Sequence, residues 1–114
     1  MKEQINVPEF SWYEMGLNEE VTGVPVRLVV SGHDPYLDEL GPRIRVDLYN
    51  SINPLEMIPI YILSPDSNIN ILPKNLCNLV LKFISKNKDN ILMHWIHQSD
   101  NYTSSDFLHN IVKV

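Results

Sequence analysis

The segment Leu72 to Ile96, LPKNLCNLVLKFISKNKDNILMHWI, constrains the fold more than any other part of the chain. From Pro73 onward its apolar residues recur every three or four positions, the spacing that places them on one face of an α-helix. Proline suits the first helical turn, where its missing N–H has no partner to lose. We therefore predict an amphipathic helix that lies on a sheet, and the SKNKDN stretch is a place where it could divide or kink. The predicted apolar face contains Leu76, Leu79, Val80, Phe83, Ile84, Asn87, Ile91, Leu92 and Trp95.

Strands are predicted before this helix. Arg43 to Tyr49 alternates polar and apolar residues, which is the period of a half-buried strand. Val24 to Val30 and Ile58 to Leu63 are rich in β-branched residues, and the proline near the start of each suits an edge or a bulge. Ile69 to Leu72 is a candidate for a short last strand. The predicted fold is one α+β domain over residues 1–114, with an antiparallel sheet of three to five strands covered on one face by the C-terminal helical block.

The other segments are interpreted as connections and a terminal helix. Ile5 to Met15 is expected to begin as an extended segment, because its proline restricts the preceding residue to extended conformations. Gly16 to Gly23 is interpreted as a loop or a short helical turn, and Ser31 to Pro42 as a long hairpin loop. Ser104 or Ser105 is predicted to cap the N-terminus of a short last helix.

The charge of the chain is negative and unevenly placed. The formal net charge is −5, and the first 57 residues hold four basic and ten acidic residues, against five and four in the remainder. Nucleic-acid binding draws most of its affinity from lysine and arginine, so we predict no nucleic-acid partner. This acidity is compatible with a basic protein partner. No apolar run approaches the roughly 20 residues that cross a bilayer and no apolar secretory region opens the chain, so we predict a cytoplasmic protein with no membrane partner.

Two histidines are the candidate metal ligands. His94 and His97 lie three residues apart on the predicted helix, which can place both rings on one face. A metal site needs further ligands, and His33, Asp34 and His109 are the obvious additions. The preferred interpretation is that both histidines are polar residues near a helix end. No cofactor is predicted, because the chain contains no nucleotide-binding or nucleophile motif.

Two further features are candidates for a catalytic role. His33 and Asp34 could act as a base and its orienting carboxylate. Adjacent residues rarely orient each other in this way, and aspartate before proline is ordinary in turns. The single cysteine, Cys77, lies within the apolar helical pattern, and we interpret it as a small buried residue.

The candidate partner-binding residues are Trp12, Tyr13, Arg43 and Arg45. The two aromatic residues belong to an N-terminal cluster of the kind that anchors protein interfaces or covers a small sheet. The two arginines share the polar face of the clearest strand with Asp47. They could bind an anionic partner or phosphate, and the preferred interpretation is a solvated face with charge pairing across strands. The face of the sheet that the helix leaves open is the predicted place for function.

Several segments are similar to a small family of bacterial and phage proteins described only as a domain of unknown function. The similarity is carried by PRIRVDLY and the strand after it, by LPKNLCNLVLKFISKNKDNILMHWI, and by YTSSDFLHNIVKV, over about residues 24–114. The SGHDPYLDELGP loop and the IPIYIL strand depart from the family pattern. The resemblance implies the α+β fold and assigns no functional residue.

Function is approached through three hypotheses. The first is a non-enzymatic cytosolic protein that acts through protein contacts, as an accessory factor of a bacterial mobile element or of a defence or counter-defence system. The second is a metal-dependent hydrolase that uses His94 and His97, and the third is a component of a toxin–antitoxin pair. A protein partner is expected, and a sheet edge could also pair in a homodimer.

Overall fold

The computed structural model describes residues 14–31, 41–51, 56–97 and 102–114. Within these ranges the chain forms four strands, three α-helices and two 3₁₀ turns. In chain order they are β1 (Glu14–Leu17), α1 (Glu19–Thr22), β2 (Arg27–Ser31), β3 (Arg43–Asp47), β4 (Ile58–Tyr61), the 3₁₀ turns Pro65–Ser67 and Ile69–Ile71, α2 (Lys74–His97) and α3 (Ser104–His109).

The four strands form one antiparallel sheet in the order β1-β2-β3-β4. Each strand pairs with the one before it, so Arg27 lies opposite Asp47 and Arg43 lies opposite Tyr61. With α2 following the sheet, the structure is a small α+β fold, and this part of the prediction is confirmed.

The hydrophobic core lies between the sheet and α2. Successive strand residues point to opposite faces of a sheet, and the alternation in β3 directs Ile44 and Val46 to the same side. The sheet contributes buried apolar residues from β1 to β4, and α2 contributes its apolar face. The fully or almost fully buried residues shared by these layers include Leu17, Leu28, Val30, Ile44, Val46, Ile60, Leu76, Val80, Phe83, Ile84, Ile91 and Phe107. The apolar face predicted for α2 is therefore the face that covers the sheet.

The helix α2 runs as one element through the SKNKDN stretch. Ile84 and Ile91 are buried on either side of this stretch and Asn87 is buried within it, so the covering face is continuous. The helix α2 contains no alanine and is rich in asparagine, so its intrinsic helix propensity is modest. Its packing against the sheet supplies most of its stability.

Polar and aromatic contacts attach α3 to α2. The side-chain amide of Asn90 donates to the backbone carbonyl of Phe107 at 3.0 Å, and the hydroxyl of Tyr102 donates to the carbonyl oxygen of the same amide. The ring of His94 lies 4.7 Å from the ring of Phe107 at an interplanar angle of 38°. These contacts bury Phe107 against α2.

Two predicted boundaries are wrong. The predicted short strand at Ile69 is a 3₁₀ turn, because the carbonyl of Ile69 accepts the N–H of Leu72 at 3.1 Å and the Cys77 thiol at 3.0 Å instead of pairing with a strand. The predicted serine cap of α3 is in fact Thr103. The Thr103 hydroxyl accepts the N–H of Asp106 at 3.1 Å and the Asp106 carboxylate accepts the N–H of Thr103 at 3.0 Å, so the two residues form a reciprocal capping box.

The first strand was also missed. The expected loop or short helical turn at 16–23 is divided between the end of β1 and the helix α1. Asn18 caps α1 through its side chain, which accepts the N–H of Val21 at 3.2 Å, and Gly23 ends the helix with a φ of 84°. Gly16 lies within β1 opposite Val29. Glycine has a low strand propensity, and the backbone pairing with β2 overrides it.

The outer edge of β4 is occupied by contacts within the chain. Ile62 donates to the carbonyl of Pro42 at 3.0 Å, so the alternation of an antiparallel pair points the backbone groups of Pro59 and Tyr61 away from β3. Proline has no N–H to offer, and its carbonyl accepts the Asn68 side-chain amide at 2.9 Å. The carbonyl of Tyr61 accepts the N–H of Ser64 at 3.3 Å. Pairing of a second chain along β4 has to displace these bonds, and a homodimer through a sheet edge stays a prediction.

None of the helices in the described ranges combines the length and the apolar character needed to span a lipid bilayer.

Replacing Phe83 by alanine is expected to lower the free energy of unfolding by about 3–5 kcal/mol, because its ring is fully buried between α2 and the sheet. Urea unfolding followed by circular dichroism measures this loss. Lys82→Ala is the matched control on the exposed side of the same turn and is expected to change stability by less than about 0.5 kcal/mol. A loss below about 1 kcal/mol for Phe83→Ala contradicts the described core.

Candidate functional site

Arg43, Arg45 and Asp47 lie on the face of β3 opposite Ile44 and Val46, and all three are buried. Their exposed fractions are 1%, 5% and 5%. The Arg43 guanidinium lies 5.7 Å from the centre of the Trp95 ring and donates to the carbonyl of Gly41 at 2.9 Å. The predicted solvated face is therefore wrong. Alternation identifies residues that share a face, whereas the burial of that face depends on the rest of the chain.

The role of Arg43 and Arg45 in partner binding stays a prediction. Their burial adds a condition to it, because a partner reaches either guanidinium only after the surface above it opens. Trp12 and Tyr13, the other two candidate partner-binding residues, lie outside the described residues.

The charge pair predicted across the strands is present and involves Arg27. The Arg27 Nε atom lies 3.7 Å from the Asp47 Oδ2 atom, directly across β2 and β3. The Oδ1 atom of the same carboxylate accepts the backbone N–H of Ser51 at 2.8 Å. Each carboxylate oxygen of Asp47 therefore has a partner, Arg27 for one and the Ser51 N–H for the other. The Arg27 side chain is 40% exposed to solvent.

A glycine supports the Arg27 side chain on its other side. A Cβ atom at Gly16 would lie 3.6 Å from the Cδ and Nη1 atoms of Arg27, so the arginine extends over the surface of β1 at this point. A branched side chain at position 16 would take the space that the guanidinium uses. The position of Arg27 is therefore fixed by Asp47 from β3 and by the bare backbone of Gly16 from β1.

An open groove of about 370 Å³ adjoins this ion pair, and we name it the Arg27 groove. The N-terminal end of α1, the segment before β2 and the end of β3 form its lining, which combines polar and apolar groups. Concave sites of this mixed character are the usual places where proteins bind other molecules. The lining residues are Asn18, Glu19, Pro25, Val26, Arg27, Asp47, Leu48 and Asn50.

Tyr49 is next in the chain to residues that line the Arg27 groove. It is placed between two lining residues, Leu48 and Asn50, and it is 79% exposed, the largest value among the exposed large apolar side chains described. Asn50 has a φ of 54°, a left-handed conformation that asparagine tolerates better than most residues, and it turns the chain directly after the tyrosine. The turn leaves the Tyr49 ring in solvent.

The candidate metal ligands are not assembled by the described residues. His94 lies in the last turn of α2, near the helix end as predicted, but it is 1% exposed and its ring packs against Phe107, so it is a buried residue of the α2–α3 contact. The side chain of His97 and the residues His33 and Asp34 lie outside the described part, and His109 is exposed on α3. In the described ranges no three His, Cys, Asp or Glu side chains come together as metal ligands would.

Cys77 is half buried and packs against the core, so it is less buried than predicted. Its thiol donates to the carbonyls of Ile69 and Leu72 at 3.0 and 3.3 Å. It therefore joins the start of α2 to the 3₁₀ turn before it.

The chain matches no protein-family model, no curated protein and no solved structure. The resemblance to a small bacterial and phage family accordingly stays a prediction.

The sequence contains a signal for the ion pair beside the Arg27 groove. Arg27 is the one charged residue in VPVRLVV, and Asp47 is the one acidic residue in RIRVDLY. Opposite charges on adjacent antiparallel strands often lie opposite each other. The register that joins these two residues depends on the length of the connection between β2 and β3, and sequence alone did not supply it.

A double-mutant cycle on Arg27→Met and Asp47→Asn is expected to give a coupling free energy of about 0.5–1 kcal/mol in low salt, since one partner is buried and the other is partly in solvent. Urea unfolding of the four proteins gives this value. Repeating the cycle in 1 M sodium chloride is expected to reduce it, because the exposed guanidinium is screened. Coupling indistinguishable from zero in low salt contradicts the described pair.

Proposed function

We propose that the protein is a non-enzymatic binding protein that acts through contact with a partner protein, and that the Arg27 groove with the Tyr49 ring is the contact surface. The observation that carries this proposal is the Tyr49 ring, which is 79% exposed and lies in the chain between two residues that line a groove containing an arginine–aspartate pair. Tyrosine and arginine are enriched among the residues that contribute most to protein interfaces.

The charge around the groove favours a basic partner segment. Glu19 and Glu20 are exposed in the first turn of α1, and the single positive charge of Arg27 faces the single negative charge of Asp47. The surroundings of the groove are therefore acidic overall, in keeping with the acidic first half of the chain. Lysine or arginine residues of a partner are attracted to such a surface, and the rate of association then falls as salt increases.

We place this activity in the cytosol and propose an accessory role in a bacterial mobile element or in a defence or counter-defence system. That role rests on the resemblance noted for the sequence. In the described residues no observation favours the metal-dependent hydrolase that uses His94 and His97 or the toxin–antitoxin component, and both stay hypotheses.

Photocrosslinking from position 49 tests the proposed surface. The full chain carrying p-benzoylphenylalanine in place of Tyr49 is expected to crosslink one basic protein from a lysate of the source cell in mild salt. The matched control carries the same group in place of Ile71, another large apolar residue, which is 61% exposed and does not line the groove. The crosslink is expected at position 49 and is expected to be absent at position 71.

The purified partner then allows an affinity measurement. Tyr49→Ala is expected to weaken binding about tenfold or more, as for an interface residue that contributes at least about 1.4 kcal/mol, and Ile71→Ala is expected to leave it within about twofold. Equal crosslinking at both positions, or equal affinity of the two variants, contradicts the assignment of the surface. Failure to crosslink any protein at position 49 removes the main support for the function.

A further inference from the structure

The buried side-chain amide of Asn87 binds the backbone of one residue in the segment after α3. The Asn87 side chain donates from Nδ2 to the carbonyl of Val112 at 2.8 Å, and its Oδ1 atom accepts the N–H of Val112 at 2.7 Å. A residue in an antiparallel strand makes the same two bonds with its neighbour. Asn87 is 1% exposed and also donates to the carbonyl of Phe83 at 2.9 Å, which fixes the orientation of the amide. This arrangement recognises an extended backbone independently of the Val112 side chain.

A second backbone contact lies two residues further along. The N–H of Val114 donates to the carbonyl of Thr22 at 2.9 Å. A Cβ atom at Gly23 would overlap the Val114 carbonyl oxygen, so Val114 fits against the bare backbone of the glycine. We name the surface formed by Asn87, Thr22 and Gly23 the backbone slot.

The side chains of the bound segment show which sequences the backbone slot can accept. Ile111 and Val114 are partly buried and pack against the hydrophobic core. Val112 and Lys113 are exposed. The slot therefore requires apolar residues three positions apart and an N–H at the second position, and it places little restriction on the two residues between them.

The segment 111–114 is partly exposed, because two of its four side chains are in solvent and the other two pack against the core. Its described backbone contacts run to Asn87, Thr22 and the end of α3. Segments of this kind open locally at a much smaller free-energy cost than the whole domain.

We propose that the backbone slot is a binding site for an extended peptide with apolar residues at its first and fourth positions. The chain's own residues 111–114 occupy the slot in the structure, and a segment of another protein with the same pattern can take their place. The peptide is recognised through its backbone by Asn87 and Thr22, as in strand addition to a sheet. This site uses residues other than those that line the Arg27 groove, so the proposal does not depend on the function proposed above.

Exchange of the bound segment can be measured with the full-length chain. Val112→Pro removes the N–H that Asn87 accepts and is expected to release the segment, whereas the matched control Val112→Ala keeps that N–H and is expected to leave it bound. The probe is a fluorescent acetylated peptide of sequence NIVKV, which corresponds to residues 110–114. Fluorescence anisotropy is expected to show binding to Val112→Pro about tenfold or more tighter than to the unmodified chain or to Val112→Ala, since the attached segment competes at a high effective concentration.

Two further binding measurements test whether Asn87 recognises the backbone of the peptide. Adding Asn87→Leu to Val112→Pro is expected to abolish binding of the peptide, and the peptide NIPKV, which lacks the second N–H, is expected not to bind. Equal peptide affinity of folded Val112→Pro and the unmodified chain overturns the proposal, as does binding that survives Asn87→Leu.

Amide hydrogen exchange of the unmodified chain decides the case in which Val112→Pro does not fold. The amides of Val112 and Val114 are expected to exchange about a hundredfold faster than that of Phe83 in the buried part of α2, because the segment opens without unfolding of the domain. Equal protection of the three amides shows that the segment leaves only on global unfolding, and this result overturns the proposal.

Discussion

The paired hydrogen bonds between the Asn87 side chain and the Val112 backbone join three parts of the fold. Asn87 lies in the middle of α2, Val112 follows α3, and Val114 extends the same segment to Thr22 at the end of α1. The helical layer is thereby connected to the corner that precedes β2. A buried amide that loses its partner costs about 1–3 kcal/mol, so this interaction is a substantial part of the stability of a small domain.

The fold was predictable where one local pattern and the packing agree. The alternation in RIRVDLY and the helical spacing after Pro73 identify β3 and α2, whose apolar faces meet in the core. The missed elements are those in which tertiary pairing overrides local preference. Gly16 suggests a turn and is part of β1, and Ile69 suggests a strand and forms a 3₁₀ turn because its carbonyl bonds with Leu72 and Cys77.

The candidate site was less predictable, because its residues come together only through strand register. Arg27 and Asp47 are separated by the whole connection between β2 and β3, and their patterns do not reveal that they lie opposite each other. The alternation of polar and apolar residues along a strand also does not show whether its polar face is buried. For this reason Arg43 and Arg45 were expected in solvent, although both are buried. Asn87 did leave a signal, since it is the one polar residue among the residues of the predicted apolar face of α2. A polar residue in such a position must satisfy its hydrogen bonds inside the protein.

The connection through Asn87 also relates the two proposed surfaces. The Arg27 groove begins at the N-terminal end of α1, and the backbone slot ends at the C-terminal end of the same four-residue helix. The most direct test of this connection is a nuclear Overhauser spectrum of the ¹⁵N-labelled protein. Cross-peaks are expected from the side-chain amide protons of Asn87 to the backbone protons of residues 111–113. Cross-peaks from these protons to α2 alone, with none to residues 111–113, would contradict the connection.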